Sequence, residues 1–381
     1  MPKYANIMFF IFVLLFWTAV SIYIFSRIWQ AMALPAGCKI IYIIITIFLS
    51  ISLPVGMILR EKLSPDFSGV VQSIGGTCMI AIVYALLFVL FFDLLRLINH
   101  WTSFFPDMIV QHYIVTKRIC LAVSVVAVTT ILAIGHWRFN HPQITRLDIS
   151  TSKSLGDDMQ LDILFFSDLH LGSLVSEKQL DYYVDLINKE HCDIVLIGGD
   201  LADGDHKTWI ERKFAEKLQK IEARYGVFSV VGNHEYYNGL EESVALMQNA
   251  GFITLIDNHH YTGSNNAVAV VGRDDRTNMK RLSSDKLLNT IDKEKYTIVL
   301  DHQPAELTQV QQAGADLLLC GHTHNGQMFP LTALIHLMWD VAYGHAKREQ
   351  MDIFVSSGIG LWGPQYRIGS SSELVHIRVK N

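Results

Sequence analysis

The chain has 381 residues, half of them hydrophobic, with a mean hydropathy of +0.27 and a formal net charge of −5. That hydropathy is too high for an ordinary soluble protein, and the acidic balance leaves no basic footprint for nucleic acid. The five cysteines are an odd count, with only Cys192 and Cys320 in the C-terminal half, which does not resemble a disulfide framework and suits a reducing compartment.

Most of the apolar excess lies before residue 138. Four runs, roughly 7–25, 40–59, 74–92 and 119–135, have about the length that a helix needs to cross a bilayer, with their charges confined to the joints. A soluble helix would show a polar face, so the pattern predicts four transmembrane helices. The first run is longer than a signal-peptide core and no small-x-small cleavage site follows it, so it is expected to stay as an anchor. Asp93 and Arg96, one turn apart, predict a helical ion pair near the interface. Four spans would put both ends on one side, but the flanking basic residues do not choose that side. Lys3, Arg60, Lys62, Arg138, Arg146 and Lys153 face Arg27, Lys39, Arg96, Lys117 and Arg118 in a near tie.

Residues 139–160 read as a linker. Beyond them short apolar runs alternate with amphipathic stretches, the pattern of an α/β domain over 161–381. Strands are predicted at 161–166, 193–198, 227–232, 268–272, 296–301, 316–320, 352–357 and 373–379. Helices are predicted at 177–190, 208–223, 240–249 and 305–312.

Five of these strands run straight into polar residues. The first ends in Asp168 and His170, the second in Asp200, the third in Asn233, His234 and Glu235, the fifth in His302, and the sixth in His322 and His324. Any one of them could be a cap or a turn. Ligands gather outside the carboxyl ends of strands in such sheets, and a set of carboxylate, imidazole and amide donors suits borderline or hard divalent ions.

The series DLH, GGD, GNHE, a lone His in LDHQP, and GHTH resembles the motifs of the calcineurin-like metallophosphoesterases over residues 161–381. GHTHNGQ, with the late SSGIGLWGPQYRIGSSSE, is similar to the membrane-associated bacterial phosphodiesterases of the YkuE type, where GHTHGGQ is commoner, so Asn325 is a departure. The resemblance implies an αββα sandwich behind four membrane helices (1–138) and two divalent ions, Mn, Fe, Zn or Co. It makes Asp168, His170 and His324 ligands of one ion and Asn233, His302 and His322 ligands of the other, with Asp200 bridging. It gives His234 the role of stabilising the transition state or protonating the leaving oxygen. Arg367 is expected to contact a substrate phosphate. Arg273 is expected at the surface, and Asp203, Asp274 and Asp275 are explained as well by caps and turns as by chemistry.

The implied activity is a metal-dependent phosphohydrolase in a bacterial inner membrane, a phosphodiesterase or pyrophosphatase. The apolar stretch 329–339 beside the histidine pair reads either as ordinary core or as a wall admitting a lipid or nucleotide-linked lipid such as a UDP-diacylglucosamine. The alternatives are a phosphomonoesterase on soluble or protein substrates and an inactive membrane scaffold or sensor with this fold.

Overall fold

The structure, a computed structural model, describes residues 3–32, 35–59, 62–204 and 206–381. It divides into two compact units, Met1–Ile134 and Gly135–Asn381. The first is built on the helices α1 (Lys3–Met32), α2 (Ala36–Leu59), α3 (Pro65–Thr102) and the short α4 (Asp107–Gln111), together with most of α5 (Tyr113–Asn140). Large apolar side chains face outward, with Phe12 66% and Ile40 67% exposed. This is the reverse of a soluble bundle and fits a lipid surround.

Among the described residues, three helices are long and apolar enough to cross a membrane, Ile11–Met32, Pro65–Thr102 and Tyr113–Asn140. The expected four is corrected to three. The described apolar part of α2, Gly37–Ser52, has fewer than 18 residues, and Pro54 follows within the helix. Asp93 and Arg96 pair at 3.0 Å, as their spacing predicts. Arg60, counted above in the charge tie, lies outside the described residues.

In the second unit two six-stranded sheets face one another. The strands are β1 (Gln143–Ser150), β2 (Gln160–Phe166), β3 (Ile194–Ile197), β4 (Val227–Ser229), β5 (Ile253–Thr254), β6 (Asn258–Thr262), β7 (Val268–Gly272), β8 (Tyr296–Leu300), β9 (Leu317–Cys320), β10 (Gly344–Arg348), β11 (Met351–Val355) and β12 (Glu373–Lys380). One sheet has the order β1-β12-β2-β3-β4-β5 and the other β10-β11-β9-β8-β7-β6. The two-residue period of a strand sorts its side chains: Ile163 and Phe165 enter the core between the sheets, while Leu164 and Phe166 pack under the outer helices. A third cluster, with Val271, Val299, Leu318 and Leu288, covers the outside of the second sheet. The layers are therefore α/β/β/α.

Helix α6 (Glu177–Lys189) buries Leu180, Tyr183, Val184 and Ile187, one stripe at i, i+3, i+4 and i+7, and Ser176 caps it by accepting from the Gln179 amide. Two expectations shift. Residues 143–150, read as linker, form β1, which pairs in parallel with β12. The helix expected at 208–223 is two short ones, His206–Glu211 and Phe214–Leu218, parted at Lys213, which sits at φ 52.

Candidate metal centre

Strands β2, β3 and β4 are mutually parallel, as are β7, β8 and β9, so the ends of both sets deliver their loops to one region. Asp168, His170, Asp200, His322 and His324 all have φ between 49° and 70°. The left-handed region is costly for residues with a Cβ, by about 1–2 kcal/mol each, and five such residues in one site mark strain spent on aiming side chains. Two glycines make room. A Cβ on Gly232 would run into Asp200 Oδ1 and the His302 ring, and one on Gly321 into Ser167 Oγ and Asp168 Oδ2.

The side chains meet in two groups. In the first, Asp168 Oδ1 lies 3.9 Å from His170 Nε2 and 3.5 Å from His324 Nε2, and the two ring nitrogens are 3.4 Å apart. In the second, Asp200 Oδ2 is 3.1 Å from His302 Nε2, with His322 close by. The same Asp200 oxygen is 3.8 Å from His170 Nε2, so this carboxylate faces both groups. Its other oxygen accepts from the His234 amide at 2.9 Å, which holds Asn233 one peptide away.

The donors are those a divalent ion requires. His302 Nδ1 lies 2.8 Å from the Gly198 carbonyl and must donate to it, so in the neutral ring the Nε2 lone pair points at a carboxylate oxygen. Two acceptors in that position need a cation between them, a proton or a metal. Among the described residues, Asn233 Oδ1, His170 Nδ1 and His324 Nδ1 are buried without hydrogen-bond partners. Burial pushes the imidazoles of His170 and His322 down to about 4, and burial together with the Arg367 charge takes His324 well below its ordinary value. All three are neutral at pH 7, as metal ligands must be. Burial also disfavours charge on His302, but the Asp200 carboxylate outweighs it and raises this ring well above its usual range. Desolvation raises Asp200, yet the charge and hydrogen bond of His302, with His170 and His234, together hold it far below the carboxylate range.

His234 is only partly buried, its ring edge-on to His170 at 4.6 Å. Its Nδ1 lies 3.5 Å from Asp203 Oδ1, a pairing that the turn-forming reading of Asp203 did not anticipate. Burial works against charge on His234, yet Asp203 and Asp200 together raise it. Tyr237, 70% exposed, and Trp362, 53% exposed, rim the same ring at 5.6 and 6.0 Å.

Arg367 is a correction. It is fully buried, and its guanidinium donates to the carbonyls of His324, Gly358 and Gly360 at 2.7–3.0 Å. It therefore fixes the turn that carries His324 and offers no open face to a phosphate. Arg273 is likewise inside, bonded to Asp301 at 2.7 Å and Glu306 at 2.8 Å, while Asp275 holds Gln303, so both neighbours of His302 in the chain are anchored.

Glu235 was not foreseen. Its buried carboxylate accepts from the amides of Asp200, Ala202 and Gly232, at 3.0, 3.0 and 2.6 Å, and so ties two ligand loops together. Burial and the Asp200 charge push it up to about 7. The available signal was its position three residues into a helix that starts after Gly232, where a Glu reaches back to the first amides.

The stretch after His324 is not core. Leu331, Leu334, Leu337 and Met338 are 51%, 49%, 82% and 73% exposed, and Trp339 packs edge-on against His322 at 5.7 Å.

Residues 161–326 match the family described as calcineurin-like phosphoesterase. An uncharacterized metallophosphoesterase of Helicobacter pylori is 33% identical over 248 residues, 64% of this chain and just under two thirds (66%) of that protein's own length. One from Campylobacter jejuni is 31% identical over 268 residues, 68% of this chain and 69% of that protein. A Danio rerio transmembrane protein with metallophosphoesterase domain is 32% identical over 253 residues, 63% of this chain and 57% of that protein. The narrower likeness to the YkuE type rests on the sequence motifs alone.

Proposed function

Because the chain belongs to the calcineurin-like metallophosphoesterase family, we propose that it is a membrane-anchored, dinuclear metal-dependent phosphohydrolase that cleaves a diester or pyrophosphate of a lipid or nucleotide-linked lipid, in a bacterial inner membrane. In this reading Asp168, His170 and His324 hold one divalent ion, Asn233, His302 and His322 hold the other, and Asp200 serves both. Such ions, when bound, supply a nucleophile from water at neutral pH and neutralise the phosphoryl oxygens. The observation that carries the chemistry is His302 Nε2 at 3.1 Å from Asp200 Oδ2 beside the unpartnered Asn233 Oδ1, an arrangement that asks for a cation.

The protein's own part is positioning and proton transfer. Asp203 orients His234 through Nδ1 and favours its protonated form, leaving the other ring nitrogen to give a proton to the departing oxygen. Glu235 keeps the Asp200 and Asn233 loops in register, and Arg367 does the same for the His324 turn.

The lipid part of the proposal is carried by the exposed run Leu331, Leu334, Leu337 and Met338 next to Trp339 and His322. Apolar surface left in water beside a hydrolytic centre fits a substrate with an acyl portion. The test is turnover by the detergent-solubilised full chain with Mn, comparing a lipid pyrophosphate and a lipid diester with bis-nitrophenyl phosphate. Faster turnover of a lipid substrate is expected. Equal or slower lipid turnover overturns the lipid assignment, and no cleavage of any of them, read as nitrophenol or monoester product, overturns the hydrolase.

A further inference from the structure

Asp93 interrupts the apolar run of α3, and one carboxylate there serves several partners. Arg27 of α1 reaches it at 2.6 Å, Arg96 at 3.0 Å, and the Tyr23 hydroxyl donates to it as well. Arg96 and Lys117 both lie over the Tyr113 ring, at 5.7 and 4.5 Å, which brings a third cation to the group. These residues sit in the last turns of α1, the C-terminal part of α3 and the first turns of α5, so they gather at one end of the helices.

The cluster borders a cavity of about 350 Å³ whose remaining wall is largely apolar, with Ile28, Ala31, Ala85, Val89 and Leu121 among its residues. A second hollow of about 780 Å³ shares Arg27, Asp93, Arg96 and Tyr113. A volume of this order is that of a small-molecule site, which is typically about 300–1,000 Å³. Among the residues lining the two hollows, three permanent cations face one carboxylate, an imbalance that burial in lipid makes costly. An anion completes the charge, and an apolar tail completes the packing.

We propose that the N-terminal unit holds a binding site for one anionic phospholipid, its phosphate at Arg27, Arg96 and Lys117 and part of an acyl chain in the cavity between α1, α3 and α5. The site is separate from the metal centre and does not depend on the proposed hydrolysis. Asp93 fixes Arg27 and Arg96 in place and Lys117 is left over to meet the ligand.

The test uses the full chain purified in a neutral detergent, offered phosphatidylglycerol, phosphatidylcholine or inorganic phosphate, with retained lipid counted by native mass spectrometry. One phosphatidylglycerol per chain is expected, preferred over phosphatidylcholine by about fivefold for each cation engaged. Lys117→Gln should reduce that preference about fivefold and Lys117→Arg should keep it. Ala85→Phe, which fills the cavity without touching a charge, should lower retention of phosphatidylglycerol while the melting temperature stays within a few degrees. Equal retention of the two lipids overturns the proposal, as does a Lys117→Gln or Ala85→Phe chain that binds like the unaltered one. Inorganic phosphate displacing phosphatidylglycerol completely at equal concentration would mean an anion site without a lipid tail, and overturns it too.

Discussion

In the Asp200 half of the metal centre, His302 donates its Nδ1 proton to the Gly198 carbonyl, and Arg273 and Asp275 secure the residues on either side of it. In the Asp168 half, the Nδ1 atoms of His170 and His324 are buried with no partner among the described residues, so no hydrogen bond fixes these rings from the far side. His170 stacks on His324 at 5.3 Å and meets the edge of His234 at 4.6 Å. A hydrogen bond from the far nitrogen fixes a ligand's tautomer and angle before the ion arrives, and its loss typically lowers metal affinity about 10–100-fold. The two halves should therefore bind unequally, with the Asp168 half the looser. Only Asp200 belongs to both.

Asp200→Asn should have the largest effect, because it removes the shared charge and leaves His302 without its counter-ion. Both ions should be lost, and turnover should fall about a thousandfold, the upper range for removing one electrostatic contact in an active site. Metal content per chain measured beside activity checks this. A variant that keeps two ions would show that the halves do not share the carboxylate.

The inequality itself is tested by limited chelation. Brief treatment should leave about one ion per chain, held about 10–100-fold more tightly than the one released. His302→Ala should abolish the retained ion, whereas His324→Ala should start with one ion and keep it. The reverse assignment would show that ring packing anchors a ligand better than the Gly198 hydrogen bond does.

His234 meets the edge of His170 at 4.6 Å and, in the proposed reading, is not a ligand. His234→Ala should lower turnover about a hundredfold, the lower range for losing a positioned proton donor, with two ions retained. Loss of an ion in this variant would make the His234 edge the support that holds His170, and its role one of packing. Asp203→Asn should have a smaller effect of the same kind, about tenfold, since it removes the orienting carboxylate and leaves the ring.

Both halves were legible as strand ends. Five strand ends, each a short apolar run breaking into Asp, His or Asn, could be read because a strand's direction fixes where its next residues go. The α/β class followed from the alternation of runs, the sandwich only from the resemblance; the sorting of Ile163 and Phe165 to one side and Leu164 and Phe166 to the other was hidden in a continuous apolar run. Supports contributed by distant loops could not be read. Arg367 lies 43 residues from the His324 carbonyl it holds, and nothing in its local sequence separates a guanidinium that grips carbonyls from one that grips phosphate. β1 was missed because its polar residues alternate along a half-exposed edge strand, and polarity alone reads as linker. The fourth span was counted from an apolar run that includes Pro54, while the described apolar stretch of that helix ends at Ser52.

The smallest effect concerns the residue where this chain departs from its resemblance. Asn325 sits at φ 49 and ψ 38, inside the His324–Gly326 turn. This is the left-handed region, which glycine occupies freely and asparagine more readily than other residues with a Cβ. Asn325→Gly should therefore change stability by less than about 1 kcal/mol, because relief of residual backbone strain opposes the greater freedom gained by the unfolded chain. A β-branched residue has no such tolerance, and Asn325→Val should cost about 1–3 kcal/mol. The turn carries His324, so the same pair of variants probes the looser half-site directly. Asn325→Gly should keep two ions at unaltered affinity, while Asn325→Val should shed the first-released ion earlier in a chelation series. A Val variant with unchanged melting temperature and unchanged release would mean that the turn is held by Arg367 alone, whatever residue stands at 325.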